Sequence, residues 1–509
     1  MRRLANISGI TLGFYFLWKI AMLLFTSQPV PSNDSFFYDG PVVNYLLHGK
    51  YCNPALANVL PISGNEVFCA YPPLYQAVLL GWMKCFGASE LSAMWLHVGL
   101  LALFAAAVWQ ILRVLKAPAL AVNFAGLFLF GITFHDRPDT LAHALAAFAV
   151  LAMLRGLPWA TAVFLVLTFA TSLQIGGIYA LWLAGLVLTG NWFAREKIPW
   201  AAALSFLAAL VGLAALVKFG YPRLWEGFRE HVAITPSVTG LRVPTAGDVL
   251  KLVRNSPGNL LVIASLAGLM VTGKIASAQL RESVALRLVV SGGLAALALM
   301  FGCLLILTPN TIHIGTYLQP VLIGGLLVAL TNHNLLRPAM RRVWSVAVGL
   351  AVLCVSVRAL GISSWGVWCA RDVNRADALS LVERELDAVP AGGTVFVSAA
   401  YLYQTAARTN LVWLHSDWAS LATEGDWELR AIQERQPAKL LLTQFDYYRR
   451  YERIVSLFQR SRGDVVVRID NRARVQSPDA IPATRKVVQH ISWAPVVIEF
   501  TWPTSPERK

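Results

Sequence analysis

The sequence predicts a polytopic α-helical membrane protein with about 11 transmembrane helices and a small α/β domain at the C-terminal end. Of its 509 residues, 56% are hydrophobic and only 14% are charged, whereas soluble domains carry roughly a quarter charged residues. Stretches of about 20 apolar residues, enough for a helix to cross a hydrocarbon core of ~30 Å, recur over the first 360 positions. After Arg371 the composition becomes that of a soluble domain.

The apolar stretches and the charges between them predict where each helix lies. The predicted helices cover 10–27, 91–115, 119–134, 139–154, 158–173, 177–193, 199–218, 258–273, 286–307, 317–331 and 343–360. With the N-terminus inside, every inside loop is basic, whereas the outside turns 135–138 and 308–316 nearly lack Lys and Arg, as the positive-inside rule requires. This distribution also accounts for the net charge of +15 without a nucleic-acid partner, because no basic run is interleaved with aromatic residues.

Two of the outside loops are long. The loop 28–90 contains two apolar segments, Ser35 to Leu47 and the stretch after Tyr71-Pro72-Pro73, which are too short to span and are expected to lie along the membrane surface. The loop 220–257 is rich in Arg and Lys. Cys52 and Cys69 both fall in the first loop. A disulfide and two free thiols are both open interpretations there.

An odd number of spans places residues 361–509 outside, separate from the membrane domain 1–360. In this tail, Ala376 to Val389 has apolar residues on one helical face. Short β-like runs follow at Thr394–Ala399, Lys439–Thr443, Asp464–Ile469 and Val496–Thr501, with a helical stretch at Trp427–Arg435. Alternation of helix and strand predicts a small α/β domain.

Polar residues collect on the predicted outside face, where they are costly near a membrane boundary and therefore indicate function. One cluster, Asn33 to Pro41, directly follows the first helix. A second, Phe134 to Asp139, forms the turn before the fourth helix, and a third, Thr311 to Tyr317, lies late in the membrane part. By topology all three clusters face the same compartment.

The motifs in these loops resemble a known family. Asp34 is followed by Leu46-Leu47-x-Gly49-x-Tyr51 and then by Tyr71-Pro72-Pro73-Leu74-Tyr75. Further along come Arg137-x-Asp139-x-Leu141-Ala142, Ser172-Leu173-Gln174-x-Gly176 and Tyr317-Leu318-x-Pro320. In order and sidedness they resemble the GT-C membrane glycosyltransferases, in particular the bacterial branch related to protein O-mannosyltransferases and lipid A aminoarabinose transferases. The resemblance covers roughly residues 1–330.

This resemblance implies a metal-independent glycosyltransferase of the bacterial inner membrane without a cofactor. Its donor would be a polyprenyl-phosphate-linked sugar, and its acceptor a lipid, glycan or protein outside the cytoplasm. The acceptor needs a carboxylate to take its proton, and the departing phosphate needs cations, of which Arg offers a bidentate fork. Asp34 is the expected base, with Asp39 and Asp139 as further catalytic candidates. The expected substrate-binding residues are Arg137, Asp136, His135, Gln174, Arg223, Arg229, His313 and Tyr317.

Several alternatives stay open at this point. Asp34 or Asp39 could cap a surface helix, the latter one that starts at Pro41, and Arg137 with Asp139 could form a local ion pair. Relatives often carry Asp-Glu, Lys-Gln and Arg-Tyr where this chain has Asp34-Ser35, Leu173-Gln174 and Thr316-Tyr317. The alternative functions are a multi-pass transporter, against which no internal repeat is present, and a non-catalytic membrane protein that binds the cell envelope.

Overall fold

The computed structural model describes the chain in segments. The described residues are 17–18, 20–21, 33–57, 60–116, 137–234, 245, 247, 277–284, 286–288, 290–292, 294–295, 375–389, 393–406, 408, 411–414, 427–443, 446–447, 451–460, 466–470 and 495–502. The predicted helices 10–27, 119–134, 258–273, 286–307, 317–331 and 343–360 lie wholly or mostly outside these residues. The number of spans and the domain boundary at 360 therefore stay predictions.

The membrane part contains ten α-helices whose bounds are described, and the five between Glu90 and Ala215 fall where the hydropathy pattern predicts spans. The ten helices are α1 (Asn33–His48), α2 (Pro61–Asn65), α3 (Leu74–Phe86), α4 (Glu90–Val114), α5 (Asp139–Leu154), α6 (Pro158–Phe169), α7 (Leu173–Ala194), α8 (Trp200–Ala215), α9 (Pro222–Ile234) and α10 (Ser277–Glu282). A π-helical segment, Leu216–Gly220, extends α8. Within the described part, α4, α7 and the extended α8 are long and apolar enough to cross a membrane, whereas α5 and α6 are apolar but shorter.

Local chemistry fixes where these helices begin. The Ser89 hydroxyl accepts a hydrogen bond from the backbone N–H of Ser92 at the start of α4, and the Ser172 hydroxyl does the same for Ile175 at the start of α7. Each satisfies one of the backbone donors that a helix N-terminus leaves unpaired. Pro73 directly precedes α3, where its fixed φ suits a helix start.

Helix α1 departs from expectation at its centre. It runs through Pro41, a residue that removes one backbone hydrogen bond from a helix, so the interpretation of Asp39 as the cap of a helix beginning at Pro41 is wrong. The neighbouring Gly40 has a packing reason, because a Cβ there would lie 2.6 Å from Nδ2 of Asn53. The close approach of Asn53 thus needs glycine at this position.

The described part of the loop 28–90 forms one apolar core together with the ends of α4 and α5. Phe37 and Tyr38 of α1, Tyr75 of α3 and Leu141 of α5 are buried in it. Leu402 of the C-terminal part lies in the same cluster. The loop is therefore a packed structure joined to both the membrane helices and the tail.

The C-terminal part contains a five-stranded sheet of order β2-β1-β3-β5-β4. Its elements are α11 (Arg375–Asp387), β1 (Val395–Ser398), α12 (Leu402–Thr405), β2 (Leu411–Leu414), α13 (Trp427–Arg435), β3 (Lys439–Thr443), α14 (Glu452–Arg460), β4 (Val466–Asp470) and β5 (Pro495–Thr501). Strands β2, β1 and β3 are parallel, while β5 runs antiparallel to β3 and β4. The predicted mixture of helix and strand is present, and β2 is the strand that the sequence pattern missed.

A hydrogen-bonded serine and aspartate close the carboxyl edge of this sheet. The Ser398 hydroxyl at the end of β1 donates to Asp446, and the Thr443 hydroxyl at the end of β3 donates to the same Oδ2 at 2.8 Å. All three side chains are buried. The carboxylate therefore connects β1 and β3. After β1 the chain first adds β2 on one side of that strand and then β3 on the other.

Helix α9, which lies in the loop 220–257, packs against α2 in the loop 28–90. The Glu230 carboxylate accepts from the backbone N–H of Ile62, at 3.3 Å, and of Ser63 in the first turn of α2. Gly227 lies over Cys69, because a Cβ at position 227 would be 2.0 Å from the Cys69 sulfur. Cys52 and Cys69 are both free and buried, which agrees with the interpretation as two thiols.

The contact between Gly227 and Cys69 predicts a compensating pair of substitutions. Gly227→Ala is expected to lower the melting temperature of the purified protein, because the added methyl group overlaps the sulfur and overpacking costs about 1–3 kcal/mol. Cys69→Ala removes the sulfur, so the double variant should regain most of the loss. Thermal unfolding of the two single variants and the double variant measures this coupling. Additive losses would contradict the contact.

Candidate functional site

The expected base lies on helix α1. Asp34 is the second residue of α1, and Asp39 follows one and a half turns later on the same helix. The backbone of Asp34 is described, but its side chain is not. Its expected role therefore stays a prediction.

Asp39 is buried at the centre of a polar network. Its carboxylate is 1% exposed, with Oδ1 accepting from the Tyr75 hydroxyl at 3.1 Å and Oδ2 from the Tyr403 hydroxyl at 2.9 Å. The Tyr75 hydroxyl oxygen also lies 2.9 Å from Nε2 of His97 in α4. Hydrogen bonding of this kind offsets the cost of burying a carboxylate.

Arg137 and Asp139 form the ion pair that their spacing suggested. Arg137 Nε lies 3.0 Å from Asp139 Oδ2, with the arginine side chain 16% and the aspartate 1% exposed. Asp139 is the first residue of α5, where the helix dipole favours a negative charge. The Arg137 guanidinium carbon is 6.0 Å from the ring centroid of Tyr38, so the pair borders the aromatic residues of α1.

An aromatic cluster next to this ion pair joins α9 to the loop 28–90. The Tyr38 ring packs edge-on against Tyr71, with centroids 4.8 Å apart. His231 of α9 lies 6.0 Å from Phe37 and 6.1 Å from Tyr71. Burial lowers the pKa of His231 to about 4, so the imidazole is neutral at neutral pH.

The lowered pKa of His231 predicts that acid lowers the stability of the protein. An unfolded histidine has a pKa near 6.5, so between about pH 6.5 and 4 the unfolded chain binds the additional proton. Stability then falls as the pH falls through that window. His231→Phe, which keeps an aromatic ring, should reduce the drop in melting temperature between pH 7.5 and 5. Equal drops in the two proteins would contradict this prediction. Between pH 7.5 and 8.5 their difference should stay constant.

The remaining described candidates lie around this centre, at the surface. Gln174 is exposed in the first turn of α7. The turn before it contacts the first loop, since the backbone N–H of Leu74 donates to the Ala170 carbonyl at 3.0 Å. Arg229 is also exposed. Arg223 pairs with Glu66 at 3.0 Å and with Glu226 at 2.6 Å, an arrangement that holds α9 to the first loop.

Four candidates lie outside the described residues, namely His135, Asp136, His313 and Tyr317. Among the residues that are described, no group of three or more His, Cys, Asp or Glu side chains is arranged to hold a metal ion.

Sequence reasoning missed three polar residues of this centre. His97 lies within an apolar helix that is long enough to span, and a polar residue in such a helix was the available signal. His231 had a weaker signal, because it is one polar residue among the many Arg and Lys residues of the loop 220–257. Tyr403 had none, since it contacts Asp39 across 364 positions of sequence.

Comparison with known proteins supplies the fold. No protein-family model and no curated protein sequence matches the chain. The structure of ArnT from Cupriavidus metallidurans bound to undecaprenyl phosphate is similar, with a TM-score of 0.53 and 14% identity over 99% of each chain. ArnT in the apo state gives a TM-score of 0.49 at 14% identity, over 95% of this chain and 96% of the other. The chain therefore shares the fold of ArnT, which confirms at the level of the fold the resemblance inferred from its loop motifs.

Proposed function

We propose that this protein is a glycosyltransferase of the bacterial inner membrane that uses a polyprenyl-phosphate-linked sugar as its donor. The observation that carries the proposal is the similarity to ArnT bound to undecaprenyl phosphate, which extends over 99% of both chains. A lipid carrier suits the apolar helices exposed beside the outer loops, because a prenyl chain can approach them within the bilayer. The sugar and the acceptor, a lipid, glycan or protein, are left open.

The active site is proposed to face the extracytoplasmic side. The Arg155 guanidinium donates to the Gln110 side-chain oxygen at 3.5 Å, so the C-terminal ends of α4 and α5, which carry Arg113 and Arg155, lie side by side. Basic ends of this kind belong on the cytoplasmic side. His97 and Asp139 lie in the opposite halves of the same helices, on the side proposed to face outward together with the tail.

The proposed reaction is an attack of an acceptor oxygen on the anomeric carbon of the donor sugar. The bond from that carbon to the phosphate oxygen breaks, and its electron pair leaves with the polyprenyl phosphate. The acceptor proton passes to the carboxylate of Asp34, which acts as general base. Asp39 and Asp139 are buried, the first hydrogen-bonded to two tyrosines and the second paired with Arg137. These contacts favour a role in positioning the site over a role as the base.

The leaving phosphate needs positive charge or hydrogen-bond donors as its charge develops. Arg137 is proposed to contribute, because its guanidinium is partly exposed beside Tyr38. His135, Asp136, Gln174, Arg229, His313 and Tyr317 stay proposed as substrate-binding residues. Arg223 is a weaker candidate for contact with phosphate, since Glu66 and Glu226 already occupy its guanidinium.

The function is tested by incubating the purified protein with a panel of polyprenyl-phosphate sugars, in the presence of cell-envelope lipids, glycans and proteins as acceptors, and measuring release of free polyprenyl phosphate. One donor is expected to give release that depends on time and on enzyme concentration. Uptake of the same sugars into sealed vesicles that contain the protein tests the transporter alternative in parallel. Absence of release with every donor, or uptake without release, would overturn the proposal.

A further inference from the structure

The C-terminal part reaches the outer helices through the segment that follows β1. Leu402 is buried in the core formed by α1 and α3. Four residues further along, the Ala406 carbonyl accepts a hydrogen bond from Nε2 of His48, at 3.1 Å, at the end of α1. Tyr403 lies between these two contacts and reaches Asp39 at the middle of α1. The segment therefore follows α1 over more than two turns.

A second contact ties the sheet to the first turns of α4. Met94 is 1% exposed and packs in a cluster with Val382 of α11, Val395 and Val397 of β1 and Leu441 of β3. A membrane helix thus contributes a side chain to the core of the sheet. With two independent contacts on neighbouring elements, the tail is held in one orientation relative to α1 and α4.

The hydrogen bonds at Asp39 form a chain whose direction follows from donor counting. A tyrosine hydroxyl has one proton, and Tyr75 uses it for Asp39 Oδ1. The 2.9 Å contact between Tyr75 and His97 then requires the imidazole Nε2–H to donate to the Tyr75 oxygen. Tyr403 donates to Oδ2 from the other side. The chain therefore runs from α4 through α3 to the carboxylate on α1, where the tail meets it.

The Tyr403 hydroxyl stays protonated, as a donor must. Burial raises its pKa, and the negative charge of Asp39 beside it raises the pKa further. Asp39 itself is 1% exposed, so water cannot readily replace a lost donor. Loss of the Tyr403 hydroxyl removes one hydrogen bond from this buried carboxylate, which is costly and favours a shift of the helix that carries it.

We propose that Tyr403 is a positioning residue for the transferase site, through which the C-terminal part fixes helix α1. This inference rests on the proposed function, because α1 carries Asp34, the proposed base, and Tyr38, which borders Arg137. The hydrogen bond from Tyr403 goes directly to α1, the helix that positions the proposed base relative to the donor. Misplacement of a catalytic group by about 1 Å can cost ~100-fold in rate.

The test is Tyr403→Phe in the full-length protein, which removes one hydroxyl and keeps the ring. The expected result is a roughly 10-fold to 100-fold lower kcat, with unchanged affinity for polyprenyl phosphate measured by direct binding. Tyr51→Phe is the matched control. Its hydroxyl is also buried in the first loop but has no hydrogen-bond partner among the described residues, so kcat should stay at the wild-type value.

Hydrogen–deuterium exchange separates this inference from the proposed function. Peptides covering 33–48 should exchange at least about 10-fold faster in Tyr403→Phe and at the wild-type rate in Tyr51→Phe. Faster exchange without turnover by the wild-type protein would uphold the docking of α1 and sink the transferase. Unchanged exchange, or wild-type kcat in Tyr403→Phe, would overturn the role of Tyr403. A loss of kcat shared equally by both variants would also overturn it.

Discussion

Replacement of Asp34 by asparagine is expected to reduce release of polyprenyl phosphate by about 100-fold to 10,000-fold, the range that general-base catalysis contributes. The asparagine amide has the shape of the carboxylate but cannot take up the proton of the acceptor hydroxyl. Binding of the donor should change little, because the proton is transferred only in the transition state. Turnover by Asp34→Asn and donor binding to it, both measured on the purified protein, provide the test.

Asp39→Asn is the comparison that makes this result specific. The amide cannot accept from both tyrosines as the carboxylate does, so exchange at α1 should rise together with the loss of rate. In Asp34→Asn, by contrast, the rate should fall while exchange at α1 stays at the wild-type level. Near-normal turnover in Asp34→Asn would exclude Asp34 as the base.

Arg137→Met is expected to cause the largest loss of stability among single substitutions at the site, on the order of 3 kcal/mol. The methionine matches much of the arginine stem but removes the guanidinium from the Asp139 carboxylate, which is 1% exposed. Asp139→Asn should cost less, because the Arg137 guanidinium is 16% exposed and retains contact with water. The melting temperatures of the two variants in detergent measure the difference.

The double variant of Arg137→Met and Asp139→Asn tests whether the two side chains act as a pair. The double variant removes the carboxylate together with the guanidinium, so neither charge of the pair is left buried and the double variant should be more stable than Arg137→Met alone. Additive losses would show that the two residues act separately.

The sequence predicts local elements well because their causes are local. The predicted helix 139–154 coincides with α5, and α4 begins one residue before the predicted 91–115. Strand β3 likewise matches its prediction, Lys439–Thr443. Strand β2, Leu411–Leu414, is a short apolar run, which periodicity alone cannot distinguish from a buried helix.

The contacts of the candidate site could be predicted from the sequence only where the two residues are close together along the chain. The pairing of Arg137 with Asp139 spans two positions and was foreseeable from their spacing. Arg223, in contrast, pairs with Glu66 across 157 positions, and Asp39 meets Tyr403 across 364. Contacts at such separations depend on how whole helices pack, for which one sequence has no periodic signal.

The two buried thiols of the first loop have a consequence for chemical durability. Burial raises the pKa of both Cys52 and Cys69, and it is the thiolate that reacts with oxidants and disulfides. On the proposed extracytoplasmic side, where oxidising conditions pair most cysteines, these two are expected to persist as thiols. The loop could then fold correctly without any disulfide-forming enzyme, and its assembly would not depend on the redox state of the envelope.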